Sequence, residues 1–297
     1  MPNQAVCVTI RNCKFQQRRE ISLVFLRFKL FIPLALLTFT SVFSVFAQET
    51  TDKKEEKKAE TPVVKGKDAA ATYTVDQIVE SSILIYAFPG GRETLNQIRK
   101  TTIERGRTTV NRADGISENA AYQKWVIRGT SLDKEKIRLD QDFPSAKYSL
   151  VYASDKIFGI FKDSVFTPSE DASKGFESQI IHGPEALLRF KENESKIELS
   201  GRDKVMGVDL YLIDVTDKLN RKTRFYLSAK SYRIMMLSYE EGGVKFKRKF
   251  YDYNYAQGTL VAFRTVLWAG EKIVEETDIQ TVTFGQKVDV DLFVSAG

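Results

Sequence analysis

Between residues 205 and 293 the chain reads as one strand after another, over 205–215, 221–230, 232–241, 244–255, 259–270 and 271–284. The separators are turn signals, among them Gly242-Gly243, Gln257-Gly258 and Gly270-Glu271. Connections of about 2 to 5 residues permit only antiparallel pairing, since a parallel pair needs a crossover of about a dozen residues or more. The C-terminal part is therefore expected to be an antiparallel meander.

Upstream, the pattern is mixed. Thr74 is placed to cap a helix over 75–86, Phe88-Pro89-Gly90-Gly91 stops it, and a second helix is expected over 92–100. Four strands follow over 101–111, 120–128, 135–141 and 148–154, with Tyr122, Lys124, Val126 and Arg128 on one face of the second and Gln123, Trp125 and Ile127 on the other. Residues 157–161 set Phe158, Ile160 and Phe161 around Gly159, which suits either a short buried strand or the apolar lip of a ligand cavity. A helical stretch over 169–181 is broken at Gly183-Pro184 and restarts at the proline.

Several strands of the meander are apolar on both faces. Tyr211 opposes Leu210 and Leu212, Met235 opposes Ile234 and Met236, and Phe263 and Trp268 lie on a strand with no polar face. A single-layer sheet needs one apolar face, so the excess implies added cover, a filled core or a cavity. The candidate apolar ligand-binding residues are Phe158, Ile160, Phe161, Tyr211, Met235, Phe263 and Trp268.

The first 72 residues are of another kind. Six of the 45 Lys and Arg but only Glu20 of the 39 acids fall within residues 1–47, so the rest is nearly neutral and offers no bulk charge for nucleic acid. Residues 30–47 form an uncharged, largely apolar run behind Arg27 and Lys29, ending Val45-Phe46-Ala47. That is the layout of a secretory signal peptide cleaved after Ala47, with an uncleaved anchor as the alternative. Residues 48–72 are charged and poor in large apolar groups, which predicts a disordered linker before a domain over 73–297.

Catalytic signatures are absent from the sequence. Both cysteines, Cys7 and Cys13, lie in the leader, and the single histidine, His182, sits beside the Gly183-Pro184 break, as a helix-end or surface residue. These leave no Cys- or His-rich metal site, and no nucleophile-elbow, zincin, Walker or dinucleotide pattern occurs. The run Lys245-Phe246-Lys247-Arg248-Lys249-Phe250-Tyr251 interleaves cations and aromatics, but on a strand Lys245, Lys247 and Lys249 share one face with Phe246 and Phe250 on the other. A solvated lysine stripe over a buried aromatic stripe accounts for it. The later parity of Tyr251, Tyr253 and Tyr255 predicts a face change near Phe250.

The order of these parts, with the Gly90-Gly91-Arg92-Glu93 turn, Pro184-Glu185-Ala186-Leu187-Leu188 and the ending Val288-Asp289-Val290-Asp291-Leu292-Phe293, resembles the LolA/LolB-like superfamily of periplasmic lipoprotein carriers and outer-membrane lipoprotein receptors. The resemblance implies an α+β fold, an unclosed antiparallel β half-barrel with helices covering its concave face and an apolar cavity for acyl chains. Together with the apolar leader and the missing catalytic and metal signatures, it leads to the expectation of a periplasmic, non-enzymatic, monomeric binding protein with no cofactor and no metal. Its expected partners are lipid or lipoprotein acyl chains, an envelope protein or a membrane surface, and no nucleic acid. The alternative is an envelope protein-interaction or stress-sensing module on the same fold.

Overall fold

The computed structural model describes residues 73–112, 114–162 and 164–294. The leader expected over 1–47 and the linker over 48–72 lie outside the described residues.

Thr74 closes a capping box on α1 (Val75–Tyr86): its hydroxyl accepts from the Gln77 amide at 3.2 Å, and the Gln77 side chain accepts from the Thr74 amide at 2.9 Å. Ile78, Val79, Ile83 and Tyr86 recur at helical spacing and are buried. The second helix, α2 (Gly91–Ile98), starts one residue earlier and ends two earlier than the spacing predicts. Arg92, in the Gly-Gly-Arg-Glu turn, binds Glu80 and Glu192 at 2.9 Å and the Leu188 carbonyl at 3.1 Å, fastening α1 and α2 to the segment after the later helices.

Six strands follow: β1 (Thr101–Asn111), β2 (Ser117–Ile127), β3 (Lys136–Asp142), β4 (Lys147–Ala153), β5 (Lys156–Phe161) and β6 (Ser164–Phe166). A helical connection, α3 (Glu170–Ile181) and α4 (Glu185–Leu188), leads to β7 (Lys196–Val205), β8 (Val208–Thr216), β9 (Lys222–Ser228), β10 (Ile234–Glu241), β11 (Val244–Ala256), β12 (Thr259–Ala269) and β13 (Lys272–Phe284). These form a single 13-stranded antiparallel sheet in the order β6-β5-β4-β3-β2-β1-β13-β12-β11-β10-β9-β8-β7. Two meanders are thus joined where β13 returns to β1, with Thr102 opposite Phe284 and Val110 opposite Glu275. The sheet does not close. Its edges are the three-residue β6 and the charge-studded β7, both poor templates for further pairing.

Two details differ from the sequence reading. Residues 205–215 do not form one strand: Met206 and Gly207 take φ of 49° and 81°, and this tight hairpin separates β7 from β8. Methionine gives no warning of such a turn. Strand β6 has no signal in the residue pattern, and it makes sense of Gly159: a Cβ there would stand 2.3 Å from the Phe166 ring, so only glycine lets β6 lie down beside β5. The face change near Phe250 is present. Phe250 and Tyr253, an odd number of residues apart, both join the main core, and Asp252 between them has φ 52°.

The helices share one face of the sheet. Leu95 of α2 and Leu187 and Leu188 of α4 are buried with the α1 residues against Tyr211, Ile213, Phe225, Leu227, Leu237 and Leu260. A second cluster sets Phe176 and Ile180 of α3 on Tyr122, Val126, Ile137, Leu139, Leu150 and Tyr152. On the opposite face, the terminal turn Val290–Phe293 packs across β3 and β4, with Arg138 donating to the Leu292 carbonyl at 2.9 Å and Phe293 buried. No helix among the described residues is long and apolar enough to cross a membrane.

Candidate functional site

The two clusters do not meet under the α3–α4 connection. Between them the inner face of the sheet leaves a cavity of about 240 Å³. Val126 and Leu139 form one apolar wall, Phe250, Leu260, Ile279, Val282 and Phe284 the other, and Gln179, Gly183, Pro184 and Glu185 close it from the helical side. A second space of about 460 Å³ adjoins it, sharing Lys124, Val126, Arg128, Gln179, Gly183, Pro184 and Glu185. The break at Gly183-Pro184 falls on this wall, between the end of α3 at Ile181 and the start of α4 at Glu185.

Charged groups also face the cavity, and most are paired. Arg99, at the end of α2, binds Glu185 at 2.6 Å, the Thr259 hydroxyl at 3.0 Å and the Leu260 carbonyl at 2.7 Å. Glu185 also takes Arg128 at 3.2 Å, and Arg128 binds the fully buried Glu135 at 2.7 Å. Arg189 holds the other Glu135 oxygen and donates to the Gly129 carbonyl at 2.8 Å. A Cβ on Gly129 would meet the Lys134 carbonyl carbon at 2.5 Å, so glycine is what lets this loop fold back over the network. Burial opposes the charge on Glu185, yet Arg128 and Arg99 hold its pKa below the ordinary carboxylate value. Burial, with the neighbouring Arg128 charge, lowers Arg189 to about 10, so it remains a cation at neutral pH.

Across the cavity, Arg248 binds Glu275 at 2.8 Å, and Gln179 donates to the same carboxylate at 2.9 Å. Tyr122 donates to Glu104 at 2.8 Å; burial and that carboxylate push its hydroxyl well above the ordinary phenol range, keeping it a donor. Tyr86 and Tyr253 touch through their hydroxyls at 3.1 Å. Because Tyr253 gives its proton to the Ile234 carbonyl, Tyr86 is the donor of that pair. Among the described residues no three His, Cys, Asp or Glu side chains gather as a metal site.

Neither a family model nor a curated protein matches the sequence. Solved structures do match. A DUF1329 family protein from Desulfovibrio piger ATCC 29098 aligns with a TM-score of 0.51 at 13% identity, over 74% of this chain and 97% of its own. A LolA superfamily protein from Nitrosomonas europaea aligns with a TM-score of 0.51 at 12% identity, over 75% of this chain and 98% of its own. The fold is LolA/LolB-like. At these identities the likeness is one of fold alone.

Within this LolA/LolB-like fold the seven residues singled out from sequence do not converge. Tyr211 belongs to the main core, with the Arg202 guanidinium 4.8 Å above its ring. Met235 is half-buried at the irregularity between Ile234 and Met236, and Phe263 is half-buried on β12. Trp268 pairs with Lys247 on the face away from the helices, under the Lys249 ammonium at 5.1 Å. Phe158 and Ile160 share that opposite face, in register with Val151 and Ser149, while Phe161 is exposed beside Lys162. None of the seven lines either cavity. The cavity residues are instead the mixed polar and apolar set on β1, β2 and β11–β13.

His182 caps α3 as the break predicts, but it is buried, stacked on Tyr239 at 3.9 Å with Nδ1 2.6 Å from the Thr223 hydroxyl. Burial lowers its pKa to about 4. An unfolded chain binds this proton near pH 6.5 and the folded chain only near 4, so stability must fall as pH drops through that window. The loss expected by pH 4 is about 3 kcal/mol. Urea unfolding at pH 7, 5.5 and 4.5 checks this, with a flatter dependence expected for His182→Gln; equal slopes in both proteins contradict it.

Proposed function

We propose that this chain binds a lipid, or the acyl chains of a lipoprotein, by enclosing them in the space between the sheet and the α3–α4 connection. The observation that carries this reading is the cavity itself, whose walls of Val126, Leu139, Leu260, Ile279 and Val282 are left unfilled by the protein's own side chains. The helices would cover the concave side of the half-barrel, and of the two adjoining spaces, about 240 and 460 Å³, the larger falls within the sizes usual for small-molecule sites. Each enclosed CH₂ contributes roughly 0.8 kcal/mol, so a chain of about ten binds without any specific polar contact. Sequestration needs no nucleophile or metal, and the chain acts as a binding or carrier protein, without catalysis. The leader over 1–47 sends it to the periplasm and residues 48–72 tether the domain.

Filling the cavity tests the reading. Val282→Trp is expected to cut uptake of dansyl-undecanoic acid at least about tenfold, judged by loss of apolar burial, while leaving the circular-dichroism spectrum unchanged. Undiminished uptake by the filled variant, or none by the unaltered protein, would overturn it.

A further inference from the structure

The charges facing the smaller cavity do not balance. Its cations are Arg99, Lys124, Arg128 and Arg248, and its carboxylates are Glu104, Glu185 and Glu275. Glu185 is held by Arg99 and Arg128, and Glu275 by Arg248. Glu104 stands directly across the ladder from Lys124, yet its carboxylate accepts from Tyr122 at 2.8 Å and makes no ion pair with the lysine. Lys124 is left with neither an ion pair nor a side-chain hydrogen bond among the described residues. It is half-buried and lines both spaces, between Val126 along its own strand and Leu139 across the ladder.

The nearby Glu185 carboxylate feels the Lys124 charge but makes no hydrogen bond to it, so a bound anion would give the ammonium the charge-assisted hydrogen bond it lacks. Two more unpartnered groups are in the same wall: the buried Nε of Arg128 has no acceptor, although the rest of its guanidinium is engaged by Glu135 and Glu185, and the buried Oε2 of Glu185 has no donor, since Arg99 and Arg128 both bind Oε1. The apolar walls and the unpaired cation together describe an amphiphile. We propose that Lys124, assisted by Arg128, anchors the anionic head group of the ligand, a carboxylate or phosphate, while its acyl chain lies against Leu139, Leu260 and Val282. This rests on the acyl-binding reading above and adds to it the sign of the ligand's charge. The lysine stem lies along apolar neighbours and its ammonium is the part that meets the anion.

The test compares dansyl-undecanoic acid with its methyl ester, which keeps the chain and removes the charge. The unaltered protein is expected to bind the acid about tenfold more tightly than the ester. Lys124→Met should erase that preference by bringing acid affinity down to that of the ester, and Lys124→Arg should retain it. Since Lys124 makes no ion pair or side-chain hydrogen bond to a neighbour, Lys124→Met is expected to melt no lower than the unaltered protein. Equal affinity for acid and ester in the unaltered protein, or an undiminished preference in Lys124→Met, overturns the anchor while leaving acyl binding intact. Failure of both probes to bind overturns acyl binding and the anchor with it. Titration with inorganic phosphate alone, followed by calorimetry, separates an amphiphile from a free anion: no heat is expected at millimolar phosphate, and heat that Lys124→Met abolishes would make this a free-anion site instead.

Discussion

Glu135→Gln is expected to lower the stability of the domain by about 3–5 kcal/mol, the cost of breaking a buried ion pair on one side. The Glu135 side chain is only 1% exposed and is the shared acceptor of Arg128 and Arg189, themselves 14% and 6% exposed. Glutamine keeps the shape but removes the charge, leaving two guanidinium groups facing each other without the carboxylate between them. Through Glu185 and Arg99 the same network reaches the end of α2 and the start of β12, so the loss is not confined to the loop before β3. Urea unfolding of the two proteins at pH 7 measures the difference. A change below about 1 kcal/mol would mean that water, not Glu135, satisfies these arginines.

Phe225→Ala should cost as much by a different mechanism. Phe225 is fully buried on β9, flanked across the ladder by Ile213 of β8 and Leu237 of β10, both also fully buried. Deleting its ring leaves a hole that three strands and α1 cannot collapse to fill, for which about 3–5 kcal/mol is the usual penalty. Phe88→Ala serves as the comparison, since that ring is 64% exposed and its loss should change stability by no more than about 0.5 kcal/mol. Similar losses from both changes would place the core elsewhere.

The local order of the fold was legible and its long-range closure was not. Turn residues and alternation marked the meander after β8, the capping box of α1 and the lysine stripe of β11, because each depends on neighbours in the chain. The β1–β13 pairing joins residues more than 160 positions apart, as Thr108 and Thr277 do, and no local signal records it. The candidate site was missed for a physical reason. On β2 the face bearing Tyr122, Lys124 and Val126, continued by Arg128 just past the strand, looks like the solvent side when compared with Trp125 and Ile127, yet it faces the cavity. A cavity wall that carries paired charges has the composition of a surface, whereas Tyr211 drew notice for being apolar and proved to be core.

Native mass spectrometry of the protein purified without detergent from its own host tests the acyl-binding reading most directly. The expected result is a population carrying extra mass that is lost on extraction with organic solvent and whose head group is anionic. A homogeneous species at the bare polypeptide mass, unable to take up dansyl-undecanoic acid when it is supplied, would contradict it.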